Sequence, residues 1–144
     1  ATMKILYTAH ATSVGGRGGG TAKTADGALD VKLDHPVEMG GKGDGVNPEQ
    51  LFAIGYASCF LGAMKFVASK MTPPLKLAPE SSTTAHVSFG ARDDGEGFGL
   101  EVVMDVNLPG LDKAAAKDLA AKAHVVCPYS HATKGNIKVT TNIV

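Results

Sequence analysis

Two cysteines, Cys59 and Cys127, are the residues in this 144-residue chain best suited to covalent chemistry. Two thiols are too few for a disulfide-stapled scaffold or a four-thiolate zinc site, but they suffice for one redox pair. Cys59 lies in an apolar run, and its neighbours at helical spacing are Gly55, Tyr56, Gly62 and Ala63. Three of those four are small. That fits either room for a substrate beside the sulfur or a close helix crossing with Cys used as a small hydrophobe. Cys127 sits in Val126-Cys127-Pro128-Tyr129-Ser130. If Pro128 opens a short helix, Cys127 is its N-cap, and the positive end of that helix favours a thiolate.

The other reactive side chains form no comparable set. The Cys-Pro-Tyr-Ser string invites comparison with glutaredoxin-like active sites, but only 14 residues follow Ser130, too few for the strands and helix those folds place after it. The histidines, His10, His35, His86, His124 and His131, are scattered, and Cys127 with His131 offers two ligands where zinc needs three or four, so no metal is expected. His131 reads either as a proton acceptor near Cys127 or as a solvated turn histidine. No carboxylate pair stands out for glycosidase-type work, and no G-x-S-x-G elbow is present. The glycine-rich runs at 15–20 and 40–45 match neither G-x-G-x-x-G nor the phosphate-binding loop with its Lys-Ser/Thr ending, so no nucleotide cofactor is expected.

Strands and glycine turns fill the first third. Lys4 to Ser13 reads as a strand, and Leu29, Val31 and Leu33 alternate as a half-buried strand does. Asn47 as N-cap, Pro48 at the first helical position and Gln50 three residues past the cap then announce a helix. From Leu51 to Met71 its only charges are Lys65 and Lys70, an apolar helix that needs burial on most sides and hints at a second subunit. Pro73-Pro74 ends it. Val87 and Phe89, then Leu100, Val102, Met104 and Val106, alternate as two strands joined by a hairpin turn at 92–97. Asp112 to Val126 reads as a second helix with Leu111, Ala115 and Leu119 inward, Pro128 interrupts it, and Ile137 to Ile143 is a terminal strand. The order strands, helix, strands, helix, strand predicts an α+β fold in a single domain over residues 1–144.

Fourteen basic and fourteen acidic residues give zero formal charge, which argues against nucleic acid or an anionic membrane as a partner. The uncharged apolar stretch from Gln50 to Met64 is shorter than a bilayer span and is expected to be a core helix. With no charged start followed by an apolar run near the N-terminus, a reducing cytoplasmic location is expected, where a thiol pair is more often catalytic than structural.

Three blocks in order carry a resemblance over almost the whole chain: Gly15-Gly16-Arg17; Asn47-Pro48-Glu49-Gln50-Leu51-Phe52-Ala53 followed by Gly55-Tyr56-Ala57-Ser58-Cys59-Phe60; and Val126-Cys127-Pro128-Tyr129-Ser130 with Ala132-Thr133 and Gly135-Asn136-Ile137. The chain resembles the organic hydroperoxide resistance proteins within the Ohr/OsmC family. It departs mildly, with His131 where the family more often has Asn, Lys134 where it more often has Arg, and extra glycine after Arg17.

The resemblance implies an OsmC-like α+β fold, with antiparallel sheets wrapped around a long buried central helix, in an intertwined homodimer. It implies a thiol peroxidase that reduces organic hydroperoxides to alcohols and is recycled by a lipoyl-type dithiol, with no bound cofactor. Cys59 would be the peroxidatic cysteine, Cys127 the resolving one, Arg17 the activator of the thiolate and Glu49 the carboxylate holding Arg17. An OsmC-branch peroxidase with broader peroxide use, and a non-enzymatic redox-sensing or apolar-ligand-binding dimer, are the alternatives. Glu49 and Cys59 are ten residues apart on one expected helix, about 15 Å along its axis. If both serve one site, Glu49 must come from a second copy of the chain.

Overall fold

The architecture comes from a computed structural model that describes residues 2–144. Their contacts divide them into a unit ending at Leu51 and a second running from Phe52 to Val144.

The first unit is a three-stranded antiparallel sheet of β1 (Ala11–Val14), β2 (Thr21–Thr24) and β3 (Asp30–Lys32), in that order. The turn between β1 and β2 carries Arg17. Gly15, Gly16 and Gly19 there have positive φ, a region open to glycine at little cost, and a Cβ on Gly20 would collide with the backbone oxygens of Val14 and Gly16. The Gly20 N–H donates to Gly16 O at 3.1 Å, so these glycines build a closed turn. The strand expected over Lys4 to Ser13 is confined to its end. Met3, Ile5, Leu6 and Tyr7 are exposed, and among the described residues the His10 carbonyl, accepting from Ala25 N–H, extends the pairing toward them. A segment rich in strand-forming residues is not a strand until a ladder partner meets it. β2, whose Thr-Ala-Lys-Thr carries no apolar alternation, gave no sequence signal.

The sequence-expected capping box is present at the start of α1 (Pro48–Ser69). Asn47 Oδ1 accepts from Gln50 N–H at 2.9 Å, and Gln50 Oε1 accepts from Asn47 N–H at 3.0 Å.

In the second unit β4 (Ser82–Ala91) and β5 (Phe98–Asn107) form the expected antiparallel hairpin, in register from Ser82↔Asn107 to Ala91↔Phe98. β6 (Val139–Ile143) pairs with β5 in parallel, with Val102 opposite Val139. The all-antiparallel expectation fails here because α2 (Lys113–Val126) and α3 (Pro128–Thr133) form a crossover between β5 and β6, which returns the chain in the same direction. Asp112 caps α2, its carboxylate accepting from Ala115 N–H at 2.8 Å. Tyr56, Phe60 and Met64 of α1, Val102, Met104 and Val106 of β5, and Leu119 and Ala123 of α2 form the core.

Burial of α1 is one-sided. Tyr56, Phe60, Ala63, Met64 and Ala68 are buried, whereas Ile54 and Phe66 are 65% and 53% exposed. The helix continues past Lys65 to Ser69, so its 22 residues, about 33 Å, are long and apolar enough to cross a bilayer on length and composition alone. The uncharged stretch from Gln50 to Met64 is shorter than a span because it ends before Lys65, whereas the helix itself runs on past that lysine, as the sequence reading over Leu51 to Met71 expected. Core helices of globular folds pass the same test.

Candidate active site

Cys127 owes its place to the proline that follows it. Pro128 cannot donate to a continuing helix, so α2 stops and α3 starts afresh. Cys127 serves both helices with one extended residue, φ −65° and ψ 121°. Its N–H donates to Ala123 O at 2.8 Å, closing α2, and its carbonyl accepts from His131 N–H at 3.0 Å, opening α3. The N-cap position expected from the sequence is therefore occupied, but the thiol takes no part in capping. Fully buried, it turns toward α1 and donates to Cys59 Sγ across 3.4 Å. Both cysteines are free. A disulfide requires about 2.04 Å between sulfurs, so the two thiols stand roughly 1.4 Å short of a bond.

Burial pushes the Cys59 thiol above its ordinary value, and the neighbouring Cys127 sulfur adds to the shift because two thiolates this close repel. The backbone N–H of Tyr129 opposes both by donating to the Cys59 sulfur.

The small residues beside Cys59 have separate explanations. A Cβ on Gly55 would lie 2.9 Å from Tyr129 Oη and 3.2 Å from its ring, so Gly55 is what lets that tyrosine lie against α1. Gly62 faces open space. Tyr129 then joins Phe52 and Tyr56 in an aromatic cluster with ring centres 5.8–6.2 Å apart. Beside it opens a largely apolar cavity of about 350 Å³, lined by Phe52, Pro128, Tyr129, Ala132, Thr133 and Ile137.

In the first unit Arg17 and Glu49 form a two-pronged ion pair, Nη1 to Oε2 at 2.7 Å and Nη2 to Oε1 at 3.0 Å. This fork-to-fork geometry is available to guanidinium and not to ammonium. The two hydrogen bonds hold the Glu49 carboxyl below the usual glutamate range despite its partial burial, and they raise Arg17 further. Sequence reasoning missed His35, whose ring lies against Gly18 in the Arg17 turn and whose field also favours the Glu49 carboxylate. Its Nδ1 is buried without a hydrogen-bond partner.

Thus the four expected site residues form two contacts, Cys59 with Cys127 and Arg17 with Glu49. His131, considered as a proton acceptor, is exposed, and its backbone N–H rather than its ring engages Cys127. Among the described residues no group of three or more His, Cys, Asp or Glu side chains is arranged to hold a metal ion.

The family model described as OsmC-like protein matches residues 41–142. An organic hydroperoxide resistance protein of Xanthomonas axonopodis pv. citri (strain 306) is 54% identical over 141 residues, covering 97% of this chain and 96% of the relative. The crystal structure of an organic hydroperoxide resistance protein from Legionella pneumophila superposes with a TM-score of 0.88 at 44% identity, covering 97% and 98% of the two chains. That of the Bacillus subtilis organic hydroperoxide resistance protein OhrB gives 0.85 at 38% identity, covering 97% and 100%.

Proposed function

The chain belongs to the OsmC-like family, among its organic hydroperoxide resistance proteins, and from that premise we propose that it is a thiol peroxidase acting on organic hydroperoxides. The observation that carries this reading is the pair of free thiols 3.4 Å apart, one fully buried and one partly accessible.

In the proposed cycle the Cys59 thiolate attacks the peroxide oxygen and the O–O bond breaks. The alkoxide takes a proton and leaves as an alcohol, and Cys59 becomes a sulfenic acid. Cys127 sulfur then attacks the Cys59 sulfur, water departs with the proton of the Cys127 thiol, and a disulfide forms before a second peroxide can react. A lipoyl-type dithiol gives two electrons and two protons to restore both thiols. The apolar cavity beside Tyr129 suits an alkyl chain, and zero net charge suits an uncharged substrate.

A thiol raised by burial is a poor nucleophile at neutral pH and needs a cation. Arg17, held by Glu49, is the proposed source. Because Glu49 and Cys59 are about 15 Å apart along a helix, the cation is assigned to the Arg17–Glu49 pair of a second copy of the chain. A homodimer that covers the exposed apolar side of α1, where Ile54 and Phe66 lie, is part of the proposal. A compartment that keeps thiols reduced, such as the cytoplasm, is the proposed setting.

Intact mass after one equivalent of cumene hydroperoxide tests the mechanism. The parent chain is expected to lose two hydrogens with no intermolecular adduct. Cys127→Ser should gain one oxygen and then a second, and Cys59→Ser should neither change mass nor turn over. Full turnover by Cys59→Ser refutes the mechanism.

A further inference from the structure

The elbow that carries Cys127 is braced by polar side chains that the thiol chemistry does not use. His124 lies three residues before Cys127, in the last turn of α2. Its Nδ1 is 2.7 Å from Ser130 Oγ on α3, and its Nε2 is 2.7 Å from Thr141 Oγ1 on β6. Ser130 Oγ is also 2.9 Å from the hydroxyl of Tyr56 on α1, and the His124 ring lies 4.3 Å from that of Phe60 on the same helix. One imidazole therefore ties together α1, α2, α3 and β6. Tyr56, Phe60 and Ser130 are all buried, so the Tyr56–Ser130 bond is shielded from competing water, and the two bonds of His124 are half-buried.

The proton inventory is consistent. The Thr133 hydroxyl donates to Ser130 O at 3.1 Å, leaving the other groups to order themselves. Tyr56 O–H can donate to Ser130, Ser130 O–H to His124 Nδ1, and His124 Nε2–H to Thr141. Each donor is then used once and the imidazole is neutral, the form burial favours by lowering its pKa. With both nitrogens engaged, the ring is built to hold rather than to exchange protons.

We propose that His124 is a positioning residue for the thiol pair. By bracing Ser130 on α3 against Thr141 on β6, it fixes the one-residue elbow at Cys127 and holds the Cys127 sulfur within closing distance of Cys59. The two helices meet at that single extended residue, and α3 has only six residues of its own to hold its place. A displacement comparable to the remaining 1.4 Å gap would sharply lower the effective concentration of one sulfur at the other. The inference rests on Cys59 and Cys127 acting as a redox pair, but not on a peroxide being their oxidant.

The test is therefore peroxide-free. The full-length chain is equilibrated in glutathione buffers, in which both cysteines give two electrons and two protons to glutathione disulfide, forming the Cys59–Cys127 bond and two glutathione thiols. Acid quench, alkylation and intact mass give the oxidised fraction. His124→Phe, which keeps a ring against Phe60, should lower the equilibrium constant for disulfide formation at least tenfold, about 30 mV for a two-electron couple. Thr141→Val should shift it in the same direction by less, with little further effect once His124 is Phe. His124→Asn, which restores a polar group toward Ser130, should recover part of the loss. A purely structural histidine would lower the melting temperature of the reduced protein and leave this equilibrium unmoved. Values within twofold of the parent in both His124→Phe and Thr141→Val overturn the proposal, and if His124→Phe does not fold, Thr141→Val alone decides in the same way. Hydroperoxide turnover is measured separately. A parent that titrates as described but does not turn over hydroperoxide counts against the peroxidase and leaves the brace standing.

Discussion

Replacing Glu49 by Gln isolates what one carboxylate does for the Arg17 turn. The substitution keeps shape and removes charge from a side chain that is 14% exposed, paired through two hydrogen bonds to a guanidinium that is 33% exposed. Hydrogen bonds to charged groups contribute about 1.5–3 kcal/mol when shielded and exposed ion pairs about 0.2–1. A third of Arg17 meets solvent, so the pair is set near 1.5 kcal/mol on those scales. Glu49 also sits in the first turn of α1, where a negative charge is worth about 0.5 kcal/mol. The expected loss at neutral pH is therefore about 2 kcal/mol, the sum of these two estimates. The sign with pH follows from the direction of the shift. The folded carboxyl binds its proton less tightly than the unfolded one, so the stabilisation is complete above the ordinary glutamate value of 4.5 and disappears as pH falls through the lower folded value. Urea unfolding followed by circular dichroism should show a gap between parent and Glu49→Gln that is full at neutral pH and closes in acid. A gap that is absent at neutral pH, or that persists unchanged in acid, refutes the reasoning. On the proposed mechanism, the same variant also loses hydroperoxide reactivity with the Cys59 thiol count intact.

Two further outcomes are expected. Ile54→Glu puts a charge on the exposed apolar side of α1 without disturbing the core of its own chain; sedimentation should show dissociation to monomer with loss of turnover, and an active dimer would contradict the proposed interface. Phe60→Ala empties a fully buried site against His124 and should destabilise the protein by about 3–5 kcal/mol; a loss below 1 kcal/mol by urea titration would mean that the site collapses.

Much of the fold was legible because it rests on local rules. The capping box at Asn47 and Gln50, the β4–β5 hairpin and the break at Pro128 all depend on residues within a few positions of each other. What depended on distant partners was not legible. Lys4 to His10 has strand character but almost no ladder partner, β2 has a partner but no apolar alternation, and the direction of β6 follows from a crossover no local signal reports.

The site divides in the same way. The sequence by itself determined the chemistry available: two thiols and no more, an arginine between glycines, and a proline that ends a helix at Cys127. Only the tertiary structure decided that the sulfurs meet at 3.4 Å, that the space left by Gly55 is filled by Tyr129, and that His124 joins Ser130 to Thr141. The reason is one of range. Caps, turns and helix breaks are settled by backbone geometry over three or four residues, whereas a thiol pair or a buried hydrogen-bond chain exists only after hydrophobic burial has brought separate helices and strands together.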